Sequence, residues 1–196
     1  MQQEKKMKKV IVTLGREFGC NAREIGRQLA AKLGVGFYDH ELVDRAAQRA
    51  GISGGMVLNN DDFDYGMDKC FYTEKAIEAQ GYVIRDIANH ESCVLLGRCS
   101  DFFLSEFPSV LHTFVYAPLP YRVHHVSEAY KLDRRAAEKL IAKIDEKRHS
   151  YYRYVTGRNR GDRHGRNLMI DVEKFGIEGT VELICQACSQ LGLGSE

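Results

Sequence analysis

The sequence predicts an α/β fold built on a mostly parallel sheet, and three observations carry that expectation. Short β-branched or apolar runs alternate with segments of helical periodicity along the chain. The first run passes through a glycine-containing loop straight into a helix, the opening of a βαβ unit. Only three prolines occur, and no Gly/Ser-rich or low-complexity stretch divides the 196 residues, so a single domain is expected over 1–196.

The elements follow in order. Residues 9–14 (KVIVTL) form a buried-strand run that Gly15 is expected to end. In residues 22–33, Ile25, Leu29, Ala30 and Leu33 recur at helical spacing and Gly34 closes the helix. Residues 36–38 are a short extended piece, 41–50 a helix, and 74–89 a longer helix leading into the apolar strand 93–96 that Gly97 ends. A strand over 111–117, helices from Pro120 and from Asp133, a strand at 168–170 and a helix over 180–191 complete the alternation. Residues 51–73, with Gly54, Gly55, Asn59, Asn60 and the acidic Asp61, Asp62 and Asp64, read as a mobile insertion. Two roles stay open for it: a solvated loop with an aromatic anchor, or a flap over a substrate.

Composition narrows the function. With 28 Lys+Arg against 27 Asp+Glu the formal net charge is +1, which excludes a uniformly basic nucleic-acid or membrane-surface binder and is silent on local patches. No apolar run approaches the roughly 20 residues of a membrane span, and the polar, Lys-rich first nine residues lack a signal-type h-region. A cytoplasmic protein with no membrane partner is expected. The six cysteines stand mostly among apolar neighbours, as reduced thiols do; Cys185 and Cys188, spaced as C-x-x-C in an apolar helical pattern, read as core rather than as metal or redox ligands.

Three constellations could carry chemistry. The first is GREFGCNAREIG over residues 15–26, between the first strand and the first helix. A phosphate needs backbone N–H donors, close approach over glycine and the positive end of a helix dipole, and that position offers all three. The strict G-x-x-x-x-G-K-[ST] pattern is absent, so Arg16 or Arg23 would supply the cation, and Glu24 is the nearest candidate for the Mg²⁺ ligand that the missing Ser/Thr would have provided. An ordinary strand-to-helix turn is the competing reading. The second is Gly97-Arg98 at the carboxyl end of a strand, where Arg98 meets a bound anion or simply pairs with Asp101. The third is residues 147–166: Lys147, Arg148, Arg153, Arg158, Arg160, Arg163 and Arg166 against the lone Asp162, with Tyr151, Tyr152 and Tyr154 interleaved. Such a segment fits a lid over a triphosphate, or a single-stranded nucleic acid held by its backbone and by stacking.

Taken in this order, TLGREFGCNAREIG (13–26), GFYD (36–39), LLGRCSD (95–101), FVYAP (114–118) with Arg122, and IDEKRHSYYRYVTG (144–157) resemble the cytidylate kinase-like family, a branch of the P-loop nucleoside monophosphate kinases. The resemblance runs from Val10 to Leu191. It implies a P-loop NTPase-type fold with a parallel five-stranded sheet flanked by helices, a nucleoside-monophosphate-binding arm and a mobile lid. On that reading residues 9–50 form the P-loop unit, 51–92 the arm, 147–166 the lid, and 93–146 with 167–196 the core. It further implies transfer of the ATP γ-phosphate, with Mg²⁺, to a small nucleotide, CMP or dCMP, rather than binding of a nucleic acid. Gly15, Gly19, Cys20, Asn21, Ala22, Arg23 and Glu24, with Arg158, would hold ATP. Asp39, Arg98, Asp101 and Arg122 would hold the acceptor, and Arg16, Arg23, Lys147, Arg148 and Arg153 would act in catalysis. A P-loop kinase of another small acceptor and a non-catalytic nucleotide or nucleic-acid module remain the alternatives.

Overall fold

A computed structural model describes residues 9–39, 48–49 and 74–194. The expected insertion at 51–73, and all but two residues of the expected helix at 41–50, lie outside the described residues. Five strands, β1 (Ile11–Arg16), β2 (Gly36–Tyr38), β3 (Cys93–Leu96), β4 (Val110–Tyr116) and β5 (Leu168–Asp171), form one wholly parallel sheet in the order β2-β3-β1-β4-β5. The helices are α1 (Ala22–Leu33), α2 (Glu74–His90), the one-turn α3 (Ser100–Phe103), α4 (Leu119–Tyr130), α5 (Arg134–Thr156) and α6 (Val172–Gln190). The α/β class and the parallel five-stranded sheet therefore stand as expected. Among the described residues no helix is long and apolar enough to cross a membrane.

Strand alternation sends side chains to opposite faces, and each face finds its own helices. Val10, Val12 and Leu14 pack with Val94 and Leu96 against Ile25 and Leu29 of α1 and Val181 and Ile184 of α6. On the other face Ile11, Cys93 and Leu95 meet Val83, Ile84 and Ile87 of α2. Cys188 belongs to the first core and burial raises its thiol to about 11, so the C-x-x-C pair is packing. The α4–α5 hairpin has its own apolar seam, Val123, Val126, Ala137, Ile141 and Ile144, and Phe18 of the loop after β1 is inserted into it. Asp133 caps α5, its Oδ1 accepting the Ala136 N–H at 2.8 Å.

Two boundaries differ from expectation for physical reasons. β1 does not stop at Gly15, because Gly15 and Arg16 continue the ladder beside Phe114 and Val115 of β4. Gly15 is needed for close approach: a Cβ there would lie 2.6 Å from the Phe114 ring. α6 starts eight residues before the expected helix, with Asp171 as its cap, and is interrupted at Gly176 (φ 66°, ψ −178°), which hides the first turns from a periodicity count.

In this strand order the connections from β1 and from β4 leave in opposite directions. That makes the space beyond their carboxyl ends the switch point at which open α/β sheets bind ligands.

Candidate active site

A cavity of about 330 Å³ opens at that switch point, within the roughly 300–1,000 Å³ of small-molecule sites. Its floor is the loop from β1 to α1; every residue from Gly15 to Glu24 borders it. Gly19 (φ 88°) and Asn21 (φ 52°) turn the chain back into the helix. At Gly19 a Cβ would stand 3.0–3.1 Å from Val126 and Arg122 of α4, so the loop lies directly on that helix. Asn21 is the N-cap, and its carbonyl accepts the Ile25 N–H at 3.0 Å. The N–H groups of Ala22, Arg23 and Glu24 are thus those that a helix leaves without intrahelical partners, at the positive end of its dipole. Together these features put glycine, a reversing loop and a helix N-terminus at one edge of the cavity.

One wall is the turn after β3. Gly97, Arg98 and Cys99 are all left-handed (φ 72°, 57° and 56°), a conformation that costs an L-residue about 1–2 kcal/mol. The turn is held by Gln80, fully buried on α2, whose Nε2 donates to the Arg98 carbonyl at 3.0 Å and whose Oε1 accepts the Tyr151 hydroxyl at 3.2 Å. Arg16 occupies the space over Gly97, since a Cβ there would lie 1.6 Å from its Nη1. Between these groups stands Asp39, at the end of β2, accepting from Arg23 Nε at 2.6 Å. Burial pushes its carboxyl up, but Arg16, Arg23 and Arg98 outweigh that, and Asp39 ends below the usual carboxylate range.

The opposite wall is α5. Lys147, Arg148, Tyr151 and Tyr152 fall on one helical face and all border the cavity. Arg148 lies 5.3 Å above the Phe18 ring. Burial, and then Arg16 and Arg160, lower its pKa well below the ordinary guanidinium value, with only Asp145 among the main influences opposing. Beyond α5 the chain returns to the cavity twice. Arg160 reaches Asp145 and the Arg16 carbonyl. Arg166, 3% exposed, pairs with Asp101, whose Oδ2 also accepts the Tyr152 hydroxyl at 2.6 Å.

Of the residues expected from sequence, Gly15 to Glu24, Arg16, Arg23, Asp39, Arg98, Asp101, Lys147 and Arg148 border this one cavity. Three stand elsewhere. Arg153 is exposed because it is off the Lys147–Arg148–Tyr151–Tyr152 face of α5. Arg158 is exposed just past the helix end, 5.9 Å from the Phe102 ring. Arg122 lies behind the loop, giving Nη1 to Asp145 Oδ2 at 2.5 Å and to the Phe18 carbonyl at 3.3 Å, with Nε 3.4 Å from Glu17. Asp101 pairs with Arg166, not with Arg98 as one sequence reading had it. Tyr152, Arg160 and Arg166 stood in the sequence only as members of the cation- and tyrosine-rich segment, and Gln80 and Asp145 went unassigned; the partners that place them are distant in the chain. Cys20 borders the cavity as an inert thiol, raised to about 12 chiefly by burial.

Residues 11–174 match the profile of the cytidylate kinase-like family. The chain belongs to that family. No curated protein sequence matches it significantly. Among solved structures, an uncharacterized protein from Eubacterium ventriosum superposes with TM-score 0.75 at 23% identity, covering 92% of this chain and 99% of that one. A shikimate kinase from Bacteroides thetaiotaomicron gives TM-score 0.56 at 14% identity (92% and 98% covered). A gluconokinase from Sinorhizobium meliloti gives 0.56 at 13% (95% and 97%). The cytidylate kinase-like chain thus shares the fold of P-loop kinases, with the cavity just described at its switch point.

Among the described residues no three His, Cys, Asp or Glu side chains converge as a metal site. Glu24, exposed at the cavity edge and accepting from Gln28 Nε2 at 2.9 Å, is a single carboxylate. That fits a Mg²⁺ that arrives on phosphate oxygens and takes one or two protein ligands, not one that the protein cages alone.

Proposed function

We propose that this protein transfers the γ-phosphoryl group of ATP to a nucleoside monophosphate, CMP or dCMP, in the cytoplasm. The observation that carries this reading is one cavity, at the switch point of a P-loop kinase fold, where a glycine-bearing loop and helix N-terminus face a wall of cations from α5 and from the turn after β3.

Phosphoryl transfer passes through a loose transition state whose charge sits on the transferred oxygens, so positioning and electrostatics supply most of the catalysis. The Gly15–Glu24 loop would hold the ATP phosphates through its N–H groups. With no lysine in the loop, Lys147 and Arg148 of α5, Arg160, and Arg16 at the end of β1 would surround the transferred group. Preorganised donors of this kind do not have to reorganise as the charge develops. Glu24 would hold Mg²⁺, which when bound would supply neutralisation of phosphate charge. Arg98 and Arg166, on the β3 side, would orient the acceptor's phosphate.

The chemistry of Asp39 favours this acceptor over an alcohol. A hydroxyl acceptor must lose a proton, for which a base with a pKa near the working pH serves best, whereas three arginines hold Asp39 below the usual carboxylate range. A monophosphate is already ionised and needs none. The test is ADP release with CMP, dCMP, UMP, AMP, shikimate and gluconate as acceptors. Turnover with CMP or dCMP well above the others is the expected result. Turnover only with an alcohol overturns the acceptor, and no turnover together with salt-sensitive binding of single-stranded RNA or DNA overturns the reaction.

A further inference from the structure

The carboxylate at the centre of the molecule's charge network is not one that the proposed reaction uses. Asp145, on α5 one turn before Arg148, lies outside the main cavity and is one-quarter exposed. Its Oδ1 accepts the Phe18 backbone N–H at 3.0 Å and Arg160 Nη1 at 3.2 Å; its Oδ2 accepts Arg122 Nη1 at 2.5 Å. Arg122 and Arg160 are only 12% and 13% exposed. Both continue to the phosphate loop: Arg122 donates to the Phe18 carbonyl and pairs with Glu17, and Arg160 donates through Nη2 to the Arg16 carbonyl. A single carboxylate therefore ties together the phosphate loop, α4, α5 and the segment after α5.

A buried ion cluster of this kind is weak evidence for net stability, because desolvation consumes most of the Coulombic gain. What it does supply is a defined geometry. The segment between α5 and β5 is fixed at its other end as well, where Asn167 N–H donates to the His112 carbonyl at 2.8 Å and Arg166 holds Asp101. Arg160 also borders the cavity and raises the positive field at Arg148. Releasing Arg160 from Asp145 would withdraw a cation from the cavity and free the Phe18 end of the loop in one motion.

We propose that Asp145 is a positioning residue that couples the lid segment to the phosphate loop, so that the seated Arg160 and the phosphate-binding shape of residues 15–19 are one cooperative state. This deepens the reading of the cavity as an ATP site and rests on it for its functional readout. The loop lacks the lysine that would anchor phosphate from within, and the Asp145 clasp brings a cation from outside to the same place.

The experiment compares wild type, Asp145→Asn, Arg160→Gln and the double variant, by calorimetric titration with ATP and by amide hydrogen exchange at residues 16–19 without ligand. Each single variant is expected to weaken ATP binding at least tenfold, with the double variant no weaker than the worse single one. In Asp145→Asn the KM for the acceptor stays within twofold, since Asp145 lies outside the cavity and touches none of the groups beyond β3. The decisive amide is Phe18. Arg160→Gln does not touch it, yet coupling requires its protection to fall in that variant also. Unchanged Phe18 protection in Arg160→Gln, or additive losses of ATP affinity, overturns the proposal. If Asp145→Asn fails to fold, Arg160→Gln alone decides by the same amide. If wild type binds no ATP, the function is wrong, and the clasp still stands or falls on Phe18 exchange.

Discussion

Replacing Gly97 by alanine separates backbone strain from loss of a cation, because a second glycine serves as its control. Gly97 has φ 72° and Gly34 has φ 67°, so an alanine at either position pays the same left-handed penalty, about 1–2 kcal/mol. For a chain of this length that lowers Tm by roughly 2–8 °C. The surroundings differ. A Cβ at Gly34 meets nothing within 4 Å, whereas at Gly97 it would lie 1.6 Å from Arg16 Nη1. The end of a flexible side chain can swing away, so Gly97→Ala displaces Arg16 from the cavity without much further loss of stability. A charge-assisted hydrogen bond is worth about 1.5–3 kcal/mol, and ATP affinity is therefore expected to fall roughly 10- to 150-fold. Thermal unfolding and calorimetric titration of both variants measure the two effects. Similar Tm losses with weakened ATP binding in Gly97→Ala alone is the expected pattern. Equal ATP affinity in Gly34→Ala and Gly97→Ala would refute the placement of Arg16 on the phosphates.

Arg148→Met keeps the packing over Phe18 and removes a charge that the fold disfavours. Its Tm without ligand should equal or exceed that of wild type, while inorganic phosphate, which should raise the wild-type Tm, loses its effect; a destabilised variant that still responds to phosphate contradicts this. Asp39 has its folded pKa below the unfolded value of about 3.9, so its contribution is complete above that pH and is lost as pH falls through the folded pKa. Asp39→Asn should therefore flatten the acid limb of the stability profile, and an unchanged limb in acid-unfolding curves counts against the arginine cluster around it. Arg153→Ala and Arg158→Ala should bind ATP within twofold of wild type, whereas Arg160→Ala should bind about tenfold more weakly; the reverse order would mean that α5 is rotated from the phase described.

The fold was legible because its signals are local. β1 shows as a β-branched run, α1 as four apolar residues at helical spacing with a closing glycine, and the turn between them as a glycine-bearing loop. The cation-rich segment was visible too, but not which of its seven charges face the cavity. Arg153 differs from Arg148 only in helical phase, and phase matters only once the side of α5 that packs on Phe18 is known. Arg160 and Arg166 lie beyond the helix, where periodicity says nothing. They are set by Asp145 and Asp101, the latter 65 residues upstream of Arg166 and brought near only by the sheet. Arg122 differs in another way: the resemblance alone gave it to the acceptor, and its partners in the structure are Glu17 and Asp145, the latter 23 residues later.

The same distances explain how a protein of net charge +1 holds a strongly positive site. Eight Lys and Arg residues border the cavity against four Asp and Glu, so the remainder of the chain is net acidic. Of the four acidic groups, Asp39, Asp101 and Glu17 each already face an arginine, which leaves the surplus concentrated where α5 and the segment after it cross the loop between β1 and α1. At that crossing Arg148 is held among Arg16, Arg160 and Arg98 against the preference of its own charge. Like charges confined in a partly dry cleft raise the free energy of the empty state, a cost that a polyphosphate would relieve on binding if the proposed function holds. A single loop lysine would add one cation at no such cost; a cation shared among α5, β1 and the turn after β3 makes full affinity conditional on those elements being assembled together.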